Sequence, residues 1–267
     1  MPKASVVIPA HNEGRVLGRL LKGLGGADLE IVVVANGCDD DTAEVAAAFG
    51  ARVVETPVPS KREALRLGDE HATAFPRVYL DADVEIGAAD VLALCEALDR
   101  VLAAAPERDL VMEGRPWPVR AYYAIWSRLP AVREGLFGRG VIAVGEEGGR
   151  RVMALPPVMG DDLAASLAFA PGERAVVRGA RVRVHPPRTV ADLLRRRVRA
   201  VTAVAEIGGG DARTGVGDLV RIALREPWLA PHLAVFLGVT LVARARARRV
   251  VRAGDFTTWL RDESSRT

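Results

Sequence analysis

The chain has 267 residues, of which 49% are hydrophobic and 27% charged, and this balance excludes a disordered protein because it supplies a buried core. Aromatic residues make up only 5%, too few for a base-stacking surface, so we expect no nucleic-acid partner. The two cysteines, Cys38 and Cys95, are too few for a disulfide framework and fit a reducing compartment.

The net charge of +3 is modest, but arginines are concentrated late in the chain, at 174–199 and 244–252. This asymmetry indicates that the C-terminal part meets an anionic partner such as phosphates or lipid headgroups. A solvated basic helix face explains the second stretch equally well. The N-terminus turns polar after Pro9 and lacks the longer apolar core of a signal peptide, so we expect a cytoplasmic protein.

The first hundred residues alternate short apolar runs with helical patterns, which predicts a right-handed, doubly wound α/β sheet. Polar loops follow the first, second and fourth runs, and in such sheets ligands bind beyond the carboxyl ends of the strands. The sequence therefore predicts a site at that edge. The predicted strands are 5–9, 30–35, 51–55 and 77–80, and the predicted helices cover 16–24, the residues up to 49, 61–74 and 89–104.

Beyond residue 109 the pattern is less regular, and the clearest hinge is the glycine-rich segment at 208–211. We predict a main domain over 1–207, with a nucleotide-binding half at about 1–105 and an acceptor half at about 106–207. A helical C-terminal extension covers 208–267. Within the acceptor half we expect strands at 109–114 and 138–144, helices at 120–133, 161–169 and 189–207, and two strands or a hairpin at 174–184.

The extension contains an apolar stretch at 228–243, which is shorter than the ~20 residues needed to span a bilayer. Pro231 and His232 interrupt it, so we do not expect a membrane span. Basic residues follow it. The pattern predicts either an interfacial helix on anionic lipid or an ordinary buried helix, and the sequence leaves both open. The first alternative places residues 228–252 against the inner face of the cytoplasmic membrane as a peripheral contact.

Two carboxylates one residue apart, Asp81 and Asp83, directly follow the apolar run at the end of the fourth predicted strand. Such a pair can approach a divalent cation together with its bound phosphates, since Mg²⁺ and Mn²⁺ favour oxygen ligands. Taken alone, the motif is also typical of a solvated turn. Its place at the ligand-binding edge of the predicted sheet favours the metal.

Four blocks, VVIPAHNE, VVVANGCDDDT, SKREAL and YLDADVE, together resemble the successive motifs of family 2 glycosyltransferases with the GT-A fold. They cover about residues 4–86, and GRG at 138–140, GDDL at 160–163 and RRRVRA at 195–200 extend the resemblance more thinly. It implies a Rossmann-like, mostly parallel sheet flanked by helices. It also implies inverting transfer of a sugar from a nucleotide-diphosphate sugar to an acceptor hydroxyl, with a divalent cation (Mn²⁺ or Mg²⁺).

The resemblance implies a donor site in which Asp83 is the metal ligand and Asp81 supports the ion or contacts ribose. Asn36 stands where many members have an aspartate that reads uracil, and Ala35 replaces another, so the identity of the base stays open. Asp39 and its neighbour Asp40 fit helix capping equally well. The implied donor-site residues are Pro9, Ala10, Asn12, Glu13, Asn36, Asp39, Lys61, Asp81, Ala82, Asp83, Arg196 and Arg199.

The second acidic pair resembles the motif that supplies the general base. We assign that role to Asp162, with Asp161 orienting it or binding the acceptor. The residue types alone fit the start of a helix equally well. The segment Gly138, Arg139 and Gly140 is expected to form an acceptor-side loop.

The arginine-rich block departs from the family pattern, because Arg196 replaces a glutamine and Ala200 a tryptophan. This argues against a processive synthase but leaves Arg196 and Arg199 able to bind phosphate. His185 fits a phosphate or metal contact or a structural role. The aromatic residues Trp117, Tyr122, Tyr123 and Trp126 fit sugar stacking or core packing equally.

A dehydrogenase or nucleotidyltransferase would need a glycine-rich loop after the first strand, and the chain has PAHNEGR there. Two alternatives stay open: a catalytically silent binding or scaffold protein, and a transferase that uses a lipid-phosphate sugar donor. The expected setting is cell-envelope glycan, glycolipid or secondary-metabolite glycosylation, with an acceptor that is lipid-linked in some of these cases.

Overall fold

The computed structural model describes residues 2–158, 160–208 and 215–252, and its centre is an eight-stranded sheet with the strand order β3-β2-β1-β4-β7-β6-β8-β5. The first four strands along the chain pair in parallel, with β1 between β2 and β4. Their bounds are Ala4–Ala10 (β1), Leu29–Asn36 (β2), Arg52–Thr56 (β3) and Arg77–Leu80 (β4).

Helices cover both faces of this parallel half, which explains why its strands are continuous apolar runs. Val6 and Ile8 of β1 pack on one face with α1, and Val7 packs on the other face with α3. The α3 backbone approaches β1 closely at Gly68, where a Cβ atom would lie 2.3 Å from the Val7 side chain. The helices are Gly14–Leu24 (α1), Thr42–Ala48 (α2), Lys61–His71 (α3) and Ala88–Ala97 (α4).

The other half of the sheet mixes orientations: β7 is antiparallel to β4 and β6, β8 is parallel to β6, and β5 is antiparallel to β8. The α/β class is therefore confirmed, with the parallel arrangement concentrated in the first half. The bounds are Glu85–Ile86 (β5), Ala103–Leu110 (β6), Val141–Val144 (β7) and Arg174–Val184 (β8).

Four predictions about this half were wrong. The strand predicted at 109–114 is only the end of β6, which stops at Leu110. The helix predicted to reach residue 104 ends at Ala97, and the alanine run from Ala103 enters a strand, because burial between β7 and β8 overrides the helical preference of alanine. The helix predicted at 120–133 is two helices, since Pro130 starts a new one. Residues 174–184, predicted as two strands or a hairpin, form one strand with a register shift opposite Pro106 and Glu107.

Five further helices lie between β6 and the C-terminal helices: Trp117–Trp126 (α5), Pro130–Glu134 (α6), Glu146–Met153 (α7), Asp161–Leu167 (α8) and Val190–Ile207 (α9). The basic helix α9 lies where it was predicted, and the Thr189 side chain caps it by accepting from the Asp192 backbone N–H at 3.1 Å. Residues 209–211 of the predicted hinge lie outside the described residues.

The C-terminal helices α10 (Val216–Arg225) and α11 (Ala230–Arg252) pack on α5 and α9 through a core that contains Tyr122, Ile222 and Phe236. Within the described ranges, one helical stretch, Pro227–Val250, is long and apolar enough to cross a membrane by length and composition. The stretch is longer than predicted because Pro231 falls in the first turn of α11, where proline is tolerated. Those two criteria also fit core helices, so they show no span.

Candidate active site

The loops that follow β1 and β2 lie side by side, because the two strands pair in register up to Ala10 and Ala35. The Cys38 thiol donates to the Ala10 carbonyl at 3.4 Å and accepts from the Asn12 backbone N–H at 3.4 Å. The Asp39 backbone N–H donates to the Asn12 side-chain oxygen at 3.0 Å. The carboxyl edge of the parallel sheet thus carries a preformed double loop that contains most of the expected nucleoside-binding residues.

The acids of the second loop include one, Asp40, that bonds both to the first loop and to the start of α2. Asp40 accepts from the backbone N–H groups of Gly14 and Thr42, at 3.1 Å each, and therefore ties the two loops together. Burial alone would raise the Asp40 pKa, but these bonds and one from the Thr42 hydroxyl lower it. The Asp40 bond to Thr42, the first residue of α2, fits the helix-capping alternative, although the N-cap residue itself is Asp41 and its side chain makes no capping bond. Asp39 is exposed beside Asn12.

The segment after β4 alternates between the core and the site. Ala82 and Val84 are buried, whereas Asp81, Asp83 and Glu85 are half-buried. The segment passes through a turn at Ala82 and Asp83 before β5, and its three carboxylates occupy the more exposed positions. The Asp81 backbone N–H donates to the Gly140 carbonyl at 2.8 Å, which fixes the start of the segment against the loop before β7.

Lys61, the first residue of α3, joins two acidic motifs that are 80 residues apart in the chain. Its ammonium group lies 2.7 Å from Asp81 Oδ1 and 2.8 Å from Asp161 Oδ2. Burial alone would lower the Lys61 pKa, but the two carboxylates outweigh it and raise the pKa. The lysine is therefore charged at neutral pH and is held between the two acidic motifs.

The glycine-rich loop at 138–140 reaches both acidic motifs through its backbone. The Gly138 N–H donates to Asp162 Oδ2 at 2.8 Å, and Gly140 accepts from Asp81. Both glycines have positive φ, 66° and 67°, which side chains rarely adopt. The backbone of this loop thus positions the two acidic motifs.

Arg139 does not face the site, so its expected role at an acceptor-side loop is not supported. Its side chain is 2% exposed and donates to the carbonyls of Gly135 at 3.0 Å and Pro106 at 2.7 Å. It also donates to the Val132 and Arg133 carbonyls. Burial lowers its pKa to about 10, so it stays charged at neutral pH and holds the loop from behind.

The second residue of this acidic pair, Asp162, has a perturbed pKa. The residue is exposed to solvent, but the surrounding protein desolvates the carboxylate and raises the pKa; Asp161 raises it further, and Lys61 and the Gly138 N–H oppose this effect. A carboxylate with a raised pKa accepts a proton more readily than one in water. Asp161 and Asp162 also begin α8, but their ties to Lys61 and Gly138 go beyond a helix start.

A cavity of about 540 Å³ opens beside these acids. Its wall includes Pro9, Lys61 and Asp81 from the donor side and Asp161 and Asp162 from the second motif. Of the two expected arginines, Arg199 lines the cavity, whereas Arg196 is half-buried on α9 and is absent from its wall. The remaining wall is mostly apolar and comes from α3, β4, β7, α7 and α8.

Glu85 is a polar centre that the sequence reasoning missed. Its carboxylate lies 2.6 Å from His185 Nε2 and 3.1 Å from the Arg183 guanidinium, and Arg19 lies 3.5 Å away. Burial alone would raise the Glu85 pKa, but its bond to His185 and the nearby arginines outweigh burial, so the pKa is lowered. His185 therefore links β5 to the end of β8. The alternation that begins at Asp81 was the signal for the outward position of Glu85.

The aromatic cluster divides between core and surface. Tyr122 and Tyr123 are buried, and Tyr122 stacks on Phe236 with ring centroids 5.0 Å apart, so packing explains both. Trp117 is half exposed. Trp126 lies under the Arg108 guanidinium at 4.7 Å. Burial, with help from Arg139, lowers the pKa of Arg108 to about 9.

Comparison with known proteins assigns the family. Residues 5–148 match the sequence profile described as Glycosyl transferase family 2. The chain belongs to this family. The predicted membership in family 2 is thus confirmed, and the profile covers the donor loops, the Asp81–Asp83 motif and the 138–140 loop.

Relatives of this family-2 chain include an uncharacterized glycosyltransferase of Mycobacterium tuberculosis, 35% identical over 114 residues, 43% of this chain and 52% of the relative. A 4,4'-diaponeurosporenoate glycosyltransferase of Staphylococcus haemolyticus is 34% identical over 91 residues, which are 31% of this chain and 24% of that protein. The chain therefore spans about half or less of the length of these curated relatives.

Solved structures confirm the GT-A fold. The mannosyltransferase PcManGT of Pyrobaculum calidifontis, in complex with GDP-Man and Mn²⁺, superposes with a TM-score of 0.59 at 20% identity, over 95% of this chain and 79% of that one. Glucosyl-3-phosphoglycerate synthase of Mycobacterium tuberculosis, in complex with Mn²⁺ and UDP-glucose, gives 0.57 at 22% identity, over 77% and 78%.

Asp81 and Asp83 are the kind of ligands that hold a divalent cation whose other ligands come from a bound substrate. Among the described residues, no group of three or more His, Cys, Asp and Glu side chains is arranged to enclose a metal. Mg²⁺ is usually held by one or two carboxylates together with substrate phosphates, so Asp81 and Asp83 are a sufficient protein contribution.

Proposed function

We propose that the chain is an inverting glycosyltransferase that moves a sugar from a nucleoside-diphosphate sugar to an acceptor hydroxyl. The observation that carries this proposal is the convergence of Asp81 and the Asp161–Asp162 pair at one cavity, joined by Lys61 and by the 138–140 loop. Donor and acceptor chemistry need these two acidic motifs within one substrate length of each other. A silent scaffold has no need of that arrangement.

In the proposed reaction the donor nucleoside lies on the double loop formed by residues 9–13 and 36–39. Asn36 is buried at the end of β2, and its backbone carbonyl accepts from His11 Nδ1 at 2.6 Å. This bond fixes the loop in the absence of a nucleoside. The amide at this position recognises a base differently from an aspartate, and the identity of the base is left open. Ala82 is buried under the donor site and contributes backbone only.

Asp162 accepts the proton of the acceptor hydroxyl while the hydroxyl oxygen attacks the anomeric carbon. The bond from that carbon to the diphosphate oxygen breaks, and the diphosphate leaves with the electron pair on the opposite face, which inverts the centre. Asp81 and Asp83 would hold Mn²⁺ or Mg²⁺, which when bound neutralises charge on the diphosphate. Arg199, on the cavity wall, and Arg196 add positive charge on the α9 side.

A thermal-shift panel tests the donor half of the proposal. UDP, GDP, dTDP and CDP are each added with and without Mn²⁺, and a ligand that binds the native state raises the melting temperature. We expect a metal-dependent rise with at least one diphosphate, its loss in Asp83→Ala, and its retention in Asp99→Ala, which removes an exposed carboxylate elsewhere. No rise with any diphosphate at millimolar concentration would favour a silent scaffold or a lipid-phosphate donor.

We further propose that the chain works in the cytoplasm with a peripheral contact to the inner face of the membrane, and that its setting is envelope glycan, glycolipid or secondary-metabolite glycosylation. The support is an apolar surface on the C-terminal helices, where Leu224 is 79% exposed and Leu241 63%. Exposed arginines follow on α11, including Arg244 and Arg248. Apolar side chains beside a basic margin suit an anionic lipid surface.

A further inference from the structure

The cavity beside the acids changes character along its length. Lys61 and Asp161 are paired at the starts of α3 and α8. One helical turn further along each helix, at the i+4 positions, the cavity wall consists of Leu65 and Ala165. Since residues four apart lie on the same face of a helix, both helices lead from a charged end to an apolar wall.

Besides its carbon surface, the cavity wall carries Arg62, Tyr79, Arg199 and Glu206, and the first two are engaged within the protein. The Arg62 guanidinium donates to the carbonyls of Val152 and Met153. The Tyr79 hydroxyl donates to Asp69 Oδ1 at 2.9 Å. The surface that faces the cavity is therefore mostly carbon, contributed by Leu65, Leu136, Ile142, Val152, Leu155 and Ala165.

The loop after α7, which also lines the cavity, has few backbone donors. Pro156 and Pro157 line the cavity, and prolines carry no backbone N–H. A sugar or a diphosphate placed here would lose hydrogen bonds to water without replacing them, which is costly. An apolar group would gain from the same transfer.

We propose that this cavity is the acceptor subsite, and that the acceptor is an alcohol carried on an apolar, hydrocarbon-like body. The hydroxyl lies at Asp162, and the carbon body runs along α3 and α8 under Pro156 and Pro157. A volume of about 540 Å³ suits a small organic group. The assignment of the cavity to the acceptor rests on the proposed glycosyl transfer, while its preference for carbon rests on the wall alone.

Binding of alkyl β-glucosides to the full chain tests this inference without turnover. Methyl, butyl, hexyl and octyl glucosides are titrated calorimetrically below their micellar concentrations. We expect the affinity to rise with chain length, by at most about fourfold per methylene, and to level off once the cavity is full. Prior addition of the stabilising nucleoside diphosphate with Mn²⁺ is expected to leave octyl glucoside binding in place.

Two matched variants locate the binding. Leu155→Glu puts a charge on the cavity wall at a half-buried position and is expected to abolish the dependence on chain length. Phe49→Glu introduces the same charge at an exposed apolar position just after α2, outside the cavity, and is expected to leave the dependence on chain length intact. Leu155→Gln provides a milder second variant if Leu155→Glu does not fold, as judged by circular dichroism.

Three results would overturn the inference. Octyl glucoside that binds no tighter than methyl glucoside would remove the preference for carbon, and a length dependence that survives in Leu155→Glu would place the binding elsewhere. Competition between octyl glucoside and the nucleoside diphosphate would assign the cavity to the donor. In each case, the proposed glycosyl transfer is still supported if a nucleoside diphosphate raises the melting temperature and Asp83→Ala abolishes that rise. Octyl glucoside binding without any nucleotide shift would overturn the acceptor assignment together with the proposed reaction.

Discussion

The Lys61 ammonium group lies 2.8 Å from Asp161 Oδ2, so the start of α3 is tied to the start of α8. The same ammonium group also lies 2.7 Å from Asp81 Oδ1, in the first acidic motif. A single cation thus holds together the two motifs that the proposed reaction assigns to the donor and the acceptor.

Replacing Lys61 by Met should move the acid limb of the pH–rate profile to higher pH. Desolvation and Asp161 raise the Asp162 pKa, and the positive charge of Lys61 partly offsets this effect. Removing that charge therefore raises the Asp162 pKa further. The base works only when deprotonated, and activity is therefore lost at a higher pH as the pH falls. Lys61→Arg keeps the charge and should keep the limb close to its original position. The profile of kcat/KM measures both, and an unmoved limb in Lys61→Met would contradict the electrostatic link.

Asp162→Asn should lower kcat by roughly 10²- to 10⁴-fold, the usual contribution of a general base. The Gly138 N–H can still donate to the amide oxygen, so the loop and donor binding should change little. Steady-state kinetics and the nucleotide thermal shift separate the two effects. Asp161→Asn, which keeps Asp162 in place, is the control and should lose less. Equal losses in both variants would count against Asp162 as the base.

The parallel half of the fold could be predicted from sequence because its signals are local. Continuous apolar runs gave the four strands to within one or two residues, and the polar loops marked the carboxyl edge. The segment from Ala103 could not be predicted this way. Its alanines favour a helix by intrinsic propensity, and only the neighbours β7 and β8, distant in sequence, make it a strand.

In the candidate site, too, the local motifs could be predicted from the sequence and the contacts between distant segments could not. The acidic pairs were visible as motifs, but their connection through Lys61 depends on the geometry of three separate elements. The sequence predicts Arg139 in an acceptor-side loop together with Gly138 and Gly140. The Arg139 guanidinium donates to four carbonyls in the segments at 106 and 132–135. These contacts could not be predicted from the sequence, because they depend on how the segments pack.

Arg139→Met should destabilise the fold by about 3 kcal/mol or more, because several buried carbonyls lose their donor at once. Urea denaturation followed by circular dichroism measures the change in the free energy of unfolding. Arg133→Met, on an exposed position of α6, is the matched control and should change it by less than about 0.5 kcal/mol. A similar small change in Arg139→Met would show that its carbonyl partners are satisfied without it.

Anionic vesicles should bind the chain through the exposed apolar positions of its C-terminal helices. Val216, Val220 and Leu224 recur every four residues and form one stripe on α10, and Trp228 follows it. Co-sedimentation with phosphatidylglycerol vesicles should exceed that with phosphatidylcholine and weaken as salt screens the arginines.

Leu224→Glu should reduce this vesicle binding several-fold, because it places a charge where apolar contact with lipid is expected. Phe49→Glu, a similarly apolar and 48% exposed position at the end of α2, is the control and should bind as the unmodified chain does. Equal losses in both variants would point to a general effect of charge. Binding that is absent from both vesicle types at low salt would contradict the peripheral contact and leave the stripe to a protein partner.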